Sequence, residues 1–352
     1  MHVPLKLLAA SAASALALAL SACGVGGDDA KASSSDCPFP ANEEFTGTLR
    51  LGYQKIPNGD VVVKDQRILE SCLPNATVKW SNFASGGDVI QAFGGGSLDI
   101  GLAGSSPSTK ALSAPLNLPV SVVWIHDVIG TAESLVVRDG VGATDIKGLK
   151  GRTIATPFGS TAHFSLLQAI ADAGEDVKDY KLVNSEPEQI APAWGRGDVD
   201  AAWIWDPTLS ELVKQGGEVI LSSEDTAKAG KPTFDLAIAD NAFAEKNPEV
   251  LEVWAKAQDY AVEQIKQDPA KAAESVAVEV GVSTEEAEKL FSGFVFLNAS
   301  EQAGEDYLGG KLGRDLFSTA KFLLTQDGIA AVADESVYAD GVDAAPAQAA
   351  AS

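Results

Sequence analysis

Positive charge is scarce in this sequence. Its 352 residues carry 26 Lys and Arg against 49 Asp and Glu, a net charge of −23. Nucleic acids and anionic membrane surfaces bind to clustered cations, so this balance argues against both as partners of the folded domain. It does not exclude an anionic ligand, because a pocket can bind an anion through backbone dipoles. Three cysteines and three histidines leave little room for a zinc site, and we expect neither a metal nor a cofactor.

Common enzyme signatures are also missing: the sequence has no Walker A, GxSxG or HExxH motif. The segment Ser160-Thr161-Ala162-His163 places a hydroxyl near an imidazole, but these residues open one helix and no third group is evident to orient them. We therefore interpret His163 as a neutral donor to an anion or as a helix-start residue. The sequence predicts a protein that is not an enzyme; an exported hydrolase and an adhesive surface lipoprotein stay open as alternatives.

The N-terminus is typical of an export signal. Lys6 precedes a small, apolar run from Leu7 to Leu20 that is short for a membrane span. Leu20-Ser21-Ala22-Cys23 resembles a bacterial lipobox, which predicts a signal peptide over 1–22 and a lipid on Cys23. The alternative is an ordinary signal peptide with an incidental cysteine. Residues 23–45, rich in Gly, Ser, Ala and Asp, predict a flexible tether.

Two cysteines remain, Cys37 and Cys72. Export implies an oxidising compartment, so we expect a disulfide between them, with two buried free thiols as the alternative. The Ala- and Pro-rich segment 341–352 predicts a disordered tail.

The body of the chain alternates short apolar runs with helical patterns, which predicts an α/β fold with mostly parallel sheets. After about Asn241 the pattern becomes mainly helical. Phe93–Asp99 and Trp194–Asp200 are weakly alike, and each leads into a short buried strand followed by a Pro-marked helix start. This echo favours two lobes built alike, and chance similarity is the alternative.

Two helix starts are candidate anion sites. Ser105 and Ser106 precede a proline at the first helical position, and Ser160 and Thr161 precede an apolar-periodic helix. A helix N-terminus offers free N–H groups and a positive dipole end, to which hydroxyls add directed donors. Plain helix capping is the alternative at each position.

Three acidic residues are candidate partners for a ligand cation. Asp206 precedes Pro207 at a helix start, where capping is the alternative. Glu133 and Asp235 lie beside the apolar runs Ser134–Val137 and Leu236–Ala239, our candidates for strands that cross between the lobes. A solvated strand end is the alternative for both.

Aromatic and amide side chains complete the candidate site. Trp203 and Trp205 lie two apart on one strand and share a face, which suits core packing or a cation–π contact with a small ammonium ligand. Tyr53 and Gln54 end the first strand, where ligands of parallel sheets bind.

These residues carry a family resemblance. Leu51–Gln54, Gly101–Pro107, Glu133–Val137, Pro157–Leu167 and Ala193–Asp200 resemble the taurine, alkanesulfonate and nitrate solute-binding proteins of bacterial ABC importers, over about residues 48–338. The resemblance implies a two-lobed periplasmic-binding-protein-like fold (type II), with two crossover strands and a ligand cleft between the lobes. Lobe 1 would comprise 46–134 and 236–340, and lobe 2 would comprise 135–235.

The resemblance also implies roles and partners. Ser105, Ser106, Ser160, Thr161 and His163 look like a sulfonate seat. Glu133 and Asp235 look like partners for the taurine amine, and Trp205 and Gln54 would line the wall. The Trp205-Asp206-Pro207 triplet resembles the wider sulfonate and nitrate relatives rather than the taurine branch. The implied protein is a monomer, lipid-anchored at the outer face of the cytoplasmic membrane, that delivers taurine or a related sulfonate to an ABC permease and its ATPase.

Overall fold

The computed structural model describes residues 34–352 of the chain. The predicted signal peptide, the predicted lipidation site Cys23 and the first part of the predicted tether lie outside these residues. Eleven strands follow one another along the described part as β1 Thr48–Tyr53, β2 Thr77–Asn82, β3 Ile100–Gly104, β4 Val120–Ile129, β5 Glu133–Arg138, β6 Thr153–Thr156, β7 Lys181–Asn184, β8 Ala201–Trp205, β9 Gly217–Ser222, β10 Phe234–Asp240 and β11 Phe294–Val295.

The helices that precede β10 surround these strands: α1 Gly59–Asp65, α2 Ile68–Cys72, α3 Gly86–Gly94, α4 Ser105–Leu112, α5 Thr161–Asp172, α6 Pro187–Arg196, α7 Thr208–Lys214 and α8 Ser223–Lys228. The chain after β10 is mainly helical, as predicted: α9 Asn241–Lys246, α10 Pro248–Gln267, α11 Pro269–Val280, α12 Thr284–Leu290, α13 Ala299–Gln302, α14 Lys311–Thr325, α15 Glu335–Asp340 and α16 Ala345–Ala350. Short 3-10 turns occupy Ser34–Asp36, Ile146–Leu149, Val177–Asp179 and Phe291–Gly293. Within residues 34–352, none of the helices is long and apolar enough to cross a membrane.

The strands form two mixed sheets. The first has the order β11-β4-β10-β3-β1-β2, and the second has the order β7-β6-β8-β5-β9. Neighbours in the β3-β1-β2 and β7-β6-β8 parts are parallel, whereas β10 and β5 run antiparallel to both of their neighbours. We call the first sheet and its packed elements the first lobe (34–129 and 234–352), and the second sheet with its helices the second lobe (133–228).

The chain passes between the lobes twice, through residues 130–132 and 229–233. The apolar runs predicted to be crossover strands do not themselves cross. Ser134–Val137 lies within β5 of the second sheet, and Leu236–Ala239 lies within β10 of the first. Each run is nevertheless adjacent to a crossing segment, which brings the polar residue that precedes it to the boundary between the lobes.

The alternation of side chains along the strands places one apolar core on each face of the second sheet. In β5 and β8, Leu135 and Trp203 pack on one face of the second sheet, and Val136 and Ile204 pack on the other. Side chains alternate across a strand with period two, so a sheet covered by helices on both faces is apolar at every position. This is why the sequence shows continuous apolar runs at these strands.

The helices that follow β10 pack on the first sheet through amphipathic faces. In α10, Val250, Trp254, Ala261 and Ile265 are buried and recur at spacings of four and seven. The ring of Trp254 meets that of Trp124 on β4 edge to face, with centroids 6.2 Å apart. This contact, worth about 0.5–1.5 kcal/mol beyond area burial, fixes α10 against the centre of the sheet.

Part of the predicted tether is ordered on the domain. Cys37 forms a disulfide with Cys72 at the end of α2. Asn42 donates its backbone N–H to the Cys72 carbonyl at 2.8 Å, and Phe39 and Phe45 pack against the first-lobe core. The prediction of a flexible tether is therefore corrected for residues 34–45, because two aromatic rings in the segment are large enough to bury.

The predicted disordered tail over 341–352 is also wrong. Asp343 donates its N–H to the Val122 carbonyl at 2.8 Å, and Val122 donates to the Gly341 carbonyl at the same distance. Helix α16 then follows, with Pro346 and Ala347 buried. Small alanine side chains let a short helix lie close to its neighbour, a use that an Ala- and Pro-rich composition does not reveal.

One predicted helix is interrupted. The pattern Val61–Cys72 predicts a single helix, but Arg67 takes a left-handed conformation with φ 53° and separates α1 from α2. No glycine marks this break in the sequence.

Candidate ligand-binding site

A narrow cleft lies where the two lobes meet. It collects the polar ends of strands and the starts of helices from both sheets. Six residues that the sequence analysis proposed as ligand contacts line this cleft: Gln54, Glu133, Ser160, Thr161, Trp205 and Asp235. Six further lining residues were not predicted: Ile56, Gly86, Gly104, Pro107, Ile129 and Phe294.

Two helix N-termini converge on the cleft. Gly104 is the N-cap of α4 in the first lobe, and Ser160 is the N-cap of α5 in the second. The backbones approach so closely that a Cβ on Gly104 would lie 2.5 Å from Cγ2 of Thr161. The first N–H groups of a helix have no carbonyl one turn earlier to bond, and the dipole end is positive. The arrangement therefore suits an anionic group held by two lobes at once.

The hydroxyls of α5 already have partners within the protein. Ser160 Oγ donates to the Pro157 carbonyl at 2.7 Å and accepts from the His163 N–H at 3.1 Å. Thr161 Oγ1 donates to Glu133 Oε2 at 2.5 Å. These bonds hold the first turn of the helix in place, so the backbone amides are left as the principal donors toward an anion.

Glu133 is a buried carboxylate surrounded by hydroxyls. Its side chain accepts from Thr161, from Ser223 Oγ at 2.6 Å and from Ser165 Oγ at 3.5 Å. Burial raises the pKa of Glu133 to about 7, and the three hydroxyl donors act in the opposite direction. A group balanced in this way ionises readily when a cation arrives.

Asp235 is the second buried acid of the cleft. Burial, with the nearby negative charge of Glu133, raises the pKa of Asp235 to about 8. The side chain is 6% exposed. Across the ladder of β10 and β4, Asp235 is paired with Asp127, another buried acid. The sequence analysis missed Asp127, although a carboxylate inside the apolar run of β4 was itself a signal.

Gln54 and Trp205 form the wall. Gln54 Nε2 donates to the Leu102 carbonyl at 3.2 Å, which fixes the amide at the end of β1. Trp205 is half-buried and is paired with Glu133 across the ladder of β8 and β5. An indole beside two carboxyls complements an ammonium group through its negative ring face.

Three other predicted contacts do not line the cleft. Ser105 Oγ accepts from the Phe234 N–H at 3.3 Å, and Ser106 is buried in the first turn of α4. Asp206 Oδ1 accepts from the Ser210 N–H at 2.9 Å, the capping alternative considered from sequence. None of these three is among the residues that line the described cleft.

His163 also lies outside the lining residues. Its ring stacks on Phe158 with centroids 4.4 Å apart. Nδ1 accepts from the Gly159 N–H at 3.2 Å, so this nitrogen carries no proton. Burial, helped by the charge of Lys110, lowers the pKa of His163 to about 4. The imidazole is neutral, as interpreted from sequence, and its position is that of a helix-start residue.

The lining residues that the sequence analysis missed are of two kinds, glycines that permit close packing and apolar residues from distant parts of the chain. Gly86 and Gly104 permit close packing, since a Cβ on Gly86 would lie 2.8 Å from Cγ of Pro107. Ile56 and Phe294 belong to a small apolar cluster formed by distant parts of the chain. A glycine at the end of an apolar strand was a usable signal for Gly104, whereas Gly86, at the start of α3, and the apolar pair need the tertiary fold. Among residues 34–352, no group of three His, Cys, Asp or Glu is placed to hold a metal ion.

Comparison with known proteins identifies the family. The model of the NMT1/THI5-like family matches residues 78–272, more than half of the chain. The chain belongs to this family. The matched region runs from β2 to α11 and includes five of the six predicted residues that line the cleft.

Relatives extend the match. The taurine-binding periplasmic protein of Escherichia coli (strain K12) is 34% identical over 266 residues, which cover 74% of this chain and 81% of the relative. The alkanesulfonate-binding protein of Xanthomonas axonopodis pv. citri, solved bound to MOPS, superposes with a TM-score of 0.69 over 87% of this chain and 99% of its own, at 24% identity. The two-lobed α/β fold predicted from sequence is confirmed by this likeness.

The same fold also occurs in an enzyme. A desulfurization enzyme superposes with a TM-score of 0.59 over 83% of this chain and 96% of its own, at 15% identity. The fold of this NMT1/THI5-like chain is therefore compatible with binding and with catalysis, and the chemistry of the cleft has to distinguish them.

Proposed function

We propose that this protein is an extracytoplasmic solute-binding protein of an ABC importer, and that its ligand is taurine or a closely related amino-sulfonate. The observation that carries the proposal is one cleft with two converging helix N-termini and two buried carboxyls, Glu133 and Asp235. A zwitterion with an anionic sulfonate and an ammonium group complements both features. The taurine-binding relative supports the same ligand class.

The sulfonate would bind at the meeting point of α4 and α5. Backbone N–H groups of both first turns hold an anion without a counter-charge, as in other helix N-terminal anion sites. Gly104 and Thr161 lie in van der Waals contact distance of each other, so the two first turns reach one small anion only when the lobes are closed.

The ammonium would bind between Glu133, Asp235 and the Trp205 indole. A charge-assisted hydrogen bond of this kind contributes about 1.5–3 kcal/mol. The same carboxyls disfavour a simple anion such as nitrate, because an ionised acid repels it and a protonated acid gains little from it. Another alkanesulfonate or an amine-bearing heterocycle is the second candidate ligand, because the Trp205-Asp206-Pro207 triplet resembles the wider sulfonate and nitrate relatives rather than the taurine branch.

Binding rather than hydrolysis is supported by the hydroxyl contacts. Ser160 Oγ donates to a carbonyl and His163 Nδ1 accepts from a backbone amide, so the two side chains do not form a nucleophile–base pair. We therefore propose that the protein is not an enzyme.

We further propose a lipid anchor at Cys23 and delivery of the ligand by a monomer to a membrane permease and its ATPase. The lipobox-like Leu20-Ser21-Ala22-Cys23 supports the anchor, and the periplasmic relative supports a location outside the cytoplasm. Replacement of Cys23 by Ser would release the protein from the membrane fraction if the anchor is correct.

The test is thermal unfolding of the purified protein with taurine, ethanesulfonate, nitrate and an aminopyrimidine. A ligand at a thousandfold above its Kd adds about 4 kcal/mol, a rise of several degrees in Tm. Asp235→Asn and Glu133→Gln are expected to weaken taurine about tenfold or more and to leave ethanesulfonate unchanged. Asp206→Asn, a buried acid outside the cleft lining, is the matched control. Equal losses for both ligands would refute the ammonium site, and the absence of any shift with taurine would refute the ligand class.

A further inference from the structure

A third acid, Asp127, lies behind the wall of the cleft. It belongs to β4 and is paired with Asp235 of β10 in the antiparallel ladder. Residues directly opposite each other in such a ladder lie on the same face, with Cβ atoms about 4.5–5.5 Å apart. Asp127 is 0% exposed and Asp235 is 6% exposed. The two carboxyls therefore lie close together, shielded from solvent, beside the ligand cleft.

The surroundings of Asp127 do not neutralise it. Both carboxyl oxygens lack a hydrogen-bond partner in the described part of the chain, and so does the amide nitrogen of the nearby Asn58. No ion pair formed by residues 34–352 involves Asp127, Asp235 or Glu133. An isolated buried charge is expensive and a pair of like charges more so, hence such groups take up protons instead.

The groups that face Asp127 also favour its protonated form. Asp235 and Glu133 are acids whose charges disfavour a further charge on Asp127, and the nearby Asn58 amide, which makes no geometrically formed hydrogen bond to it, opposes them only in part. Burial raises the pKa of Asp127 well above its usual range. The adjacent His126 is no source of positive charge, because burial lowers the pKa of its imidazole to about 3. His126 lies 3.5 Å from a different acid, Asp60.

We infer that Asp127 and Asp235 share a proton in the empty cleft, and that the ammonium group of a bound amino-sulfonate displaces it. This inference rests on the proposed function for the identity of the ligand. One carboxyl O–H bond breaks, its proton passes to solvent through the cleft, and the ammonium remains intact and pairs with the carboxylate. No redox partner is needed.

This exchange makes Asp127 a specificity-determining residue that acts through Asp235. A sulfonate without an amine leaves the proton in place and binds with little dependence on pH. An amino-sulfonate must expel the proton, so its affinity falls about tenfold for each pH unit below the pKa of the pair. The protein would thus distinguish the two classes of sulfonate more sharply as the pH rises.

The shared proton is tested without ligand. The purified full-length protein, labelled with ¹³C at the aspartate carboxyls, is titrated by NMR from about pH 4 to about pH 9, a range that starts near the usual aspartate pKa of about 3.9 and extends past the raised pKa of Asp235, about 8. Asp127→Asn is expected to lower the midpoint of Asp235 by about one pH unit or more, whereas Asp206→Asn is expected to leave it unchanged. An unchanged Asp235 midpoint in the Asp127→Asn variant would overturn the inference and leave the proposed function intact.

The displacement is tested by calorimetry of the wild-type protein with taurine and ethanesulfonate, in phosphate and in Tris buffer. Release of a proton makes the binding enthalpy of taurine differ between the buffers, and ethanesulfonate shows no such difference. Asp127→Asn is expected to reduce the proton release with taurine. Taurine binding with the same enthalpy in both buffers would refute the displacement alone. Binding of ethanesulfonate but not taurine would refute the amino-sulfonate ligand and the displacement together, while the NMR titration would still report on the proton pair.

Discussion

Replacement of Gly104 by Ala isolates the approach of the two lobes. In the closed cleft the new Cβ would lie 2.5 Å from Thr161 Cγ2, well inside van der Waals contact. The backbone of Gly104 has φ −63° and ψ 166°, which alanine adopts without strain. The substitution therefore leaves the first lobe able to fold and opposes only its contact with the second lobe.

The size of the effect follows from the overlap. Inserting a methyl group into a close-packed site costs about 1–3 kcal/mol of stability. If ligand binding requires closure, this cost appears in the affinity, as a Kd for taurine about 5- to 150-fold weaker. The Tm of the ligand-free protein changes little, because the open form relieves the overlap.

Three further variants make the test specific. Thr161→Ser removes the Cγ2 methyl but retains the hydroxyl that donates to Glu133, so the double variant Gly104→Ala/Thr161→Ser should recover the affinity of Thr161→Ser alone. Gly94→Ala is the control, since its Cβ would meet nothing closer than Leu118 at 4.0 Å. Isothermal calorimetry gives the four affinities for a double-mutant cycle. Undiminished affinity in Gly104→Ala, or no recovery in the double variant, would refute the reasoning.

Three other outcomes follow from the structure. Burial raises the pKa of Asp235 to about 8. The stability that its protonated form contributes is therefore complete below pH ~4 and is lost as the pH rises through about 8. The Tm of the ligand-free protein should fall from about pH 6 to about pH 9, and it should fall less in the Asp235→Asn variant. Reduction of the Cys37–Cys72 disulfide, which spans a sequence separation of 35 residues, should destabilise the protein by about 3–4 kcal/mol in chemical denaturation, and no change on reduction would contradict this. Deletion of 341–352 removes the buried Ala347 and two main-chain bonds to β4, so the Tm should drop by several degrees; a tail without structural contacts would leave it unchanged.

The sequence indicates the site best where a residue is adjacent to an apolar run. Glu133 and Asp235 were placed near the cleft because each precedes such a run, and this remains true although the runs do not cross between the lobes. Ser160 and Thr161 were found from their position at the start of a periodic helix. In these cases the local pattern and the tertiary position have the same physical origin, the end of a buried element.

The remaining differences come from tertiary packing. Ser105 and Ser106 share the hydroxyl chemistry of Ser160, but the face of the helix start that meets the cleft depends on how α4 sits on the first sheet. The ring of His163 stacks on Phe158 and does not line the cleft. Asp127 was hidden inside a strand pattern, where a polar residue usually indicates an exposed face and here marks a buried pair. Composition alone gave the wrong structure for 341–352.

The position of β10 has a consequence for the order of folding. The second sheet is complete once residues 133–222 are available, whereas the first sheet has β3 and β4 separated by a vacant place until β10 arrives more than a hundred residues after β4. Closing that long loop costs entropy before any ladder contact is gained. The second lobe can thus form before the first lobe is complete. The two acids are brought together only when β10 inserts, so the cleft does not exist in any partially folded chain that has not yet inserted β10.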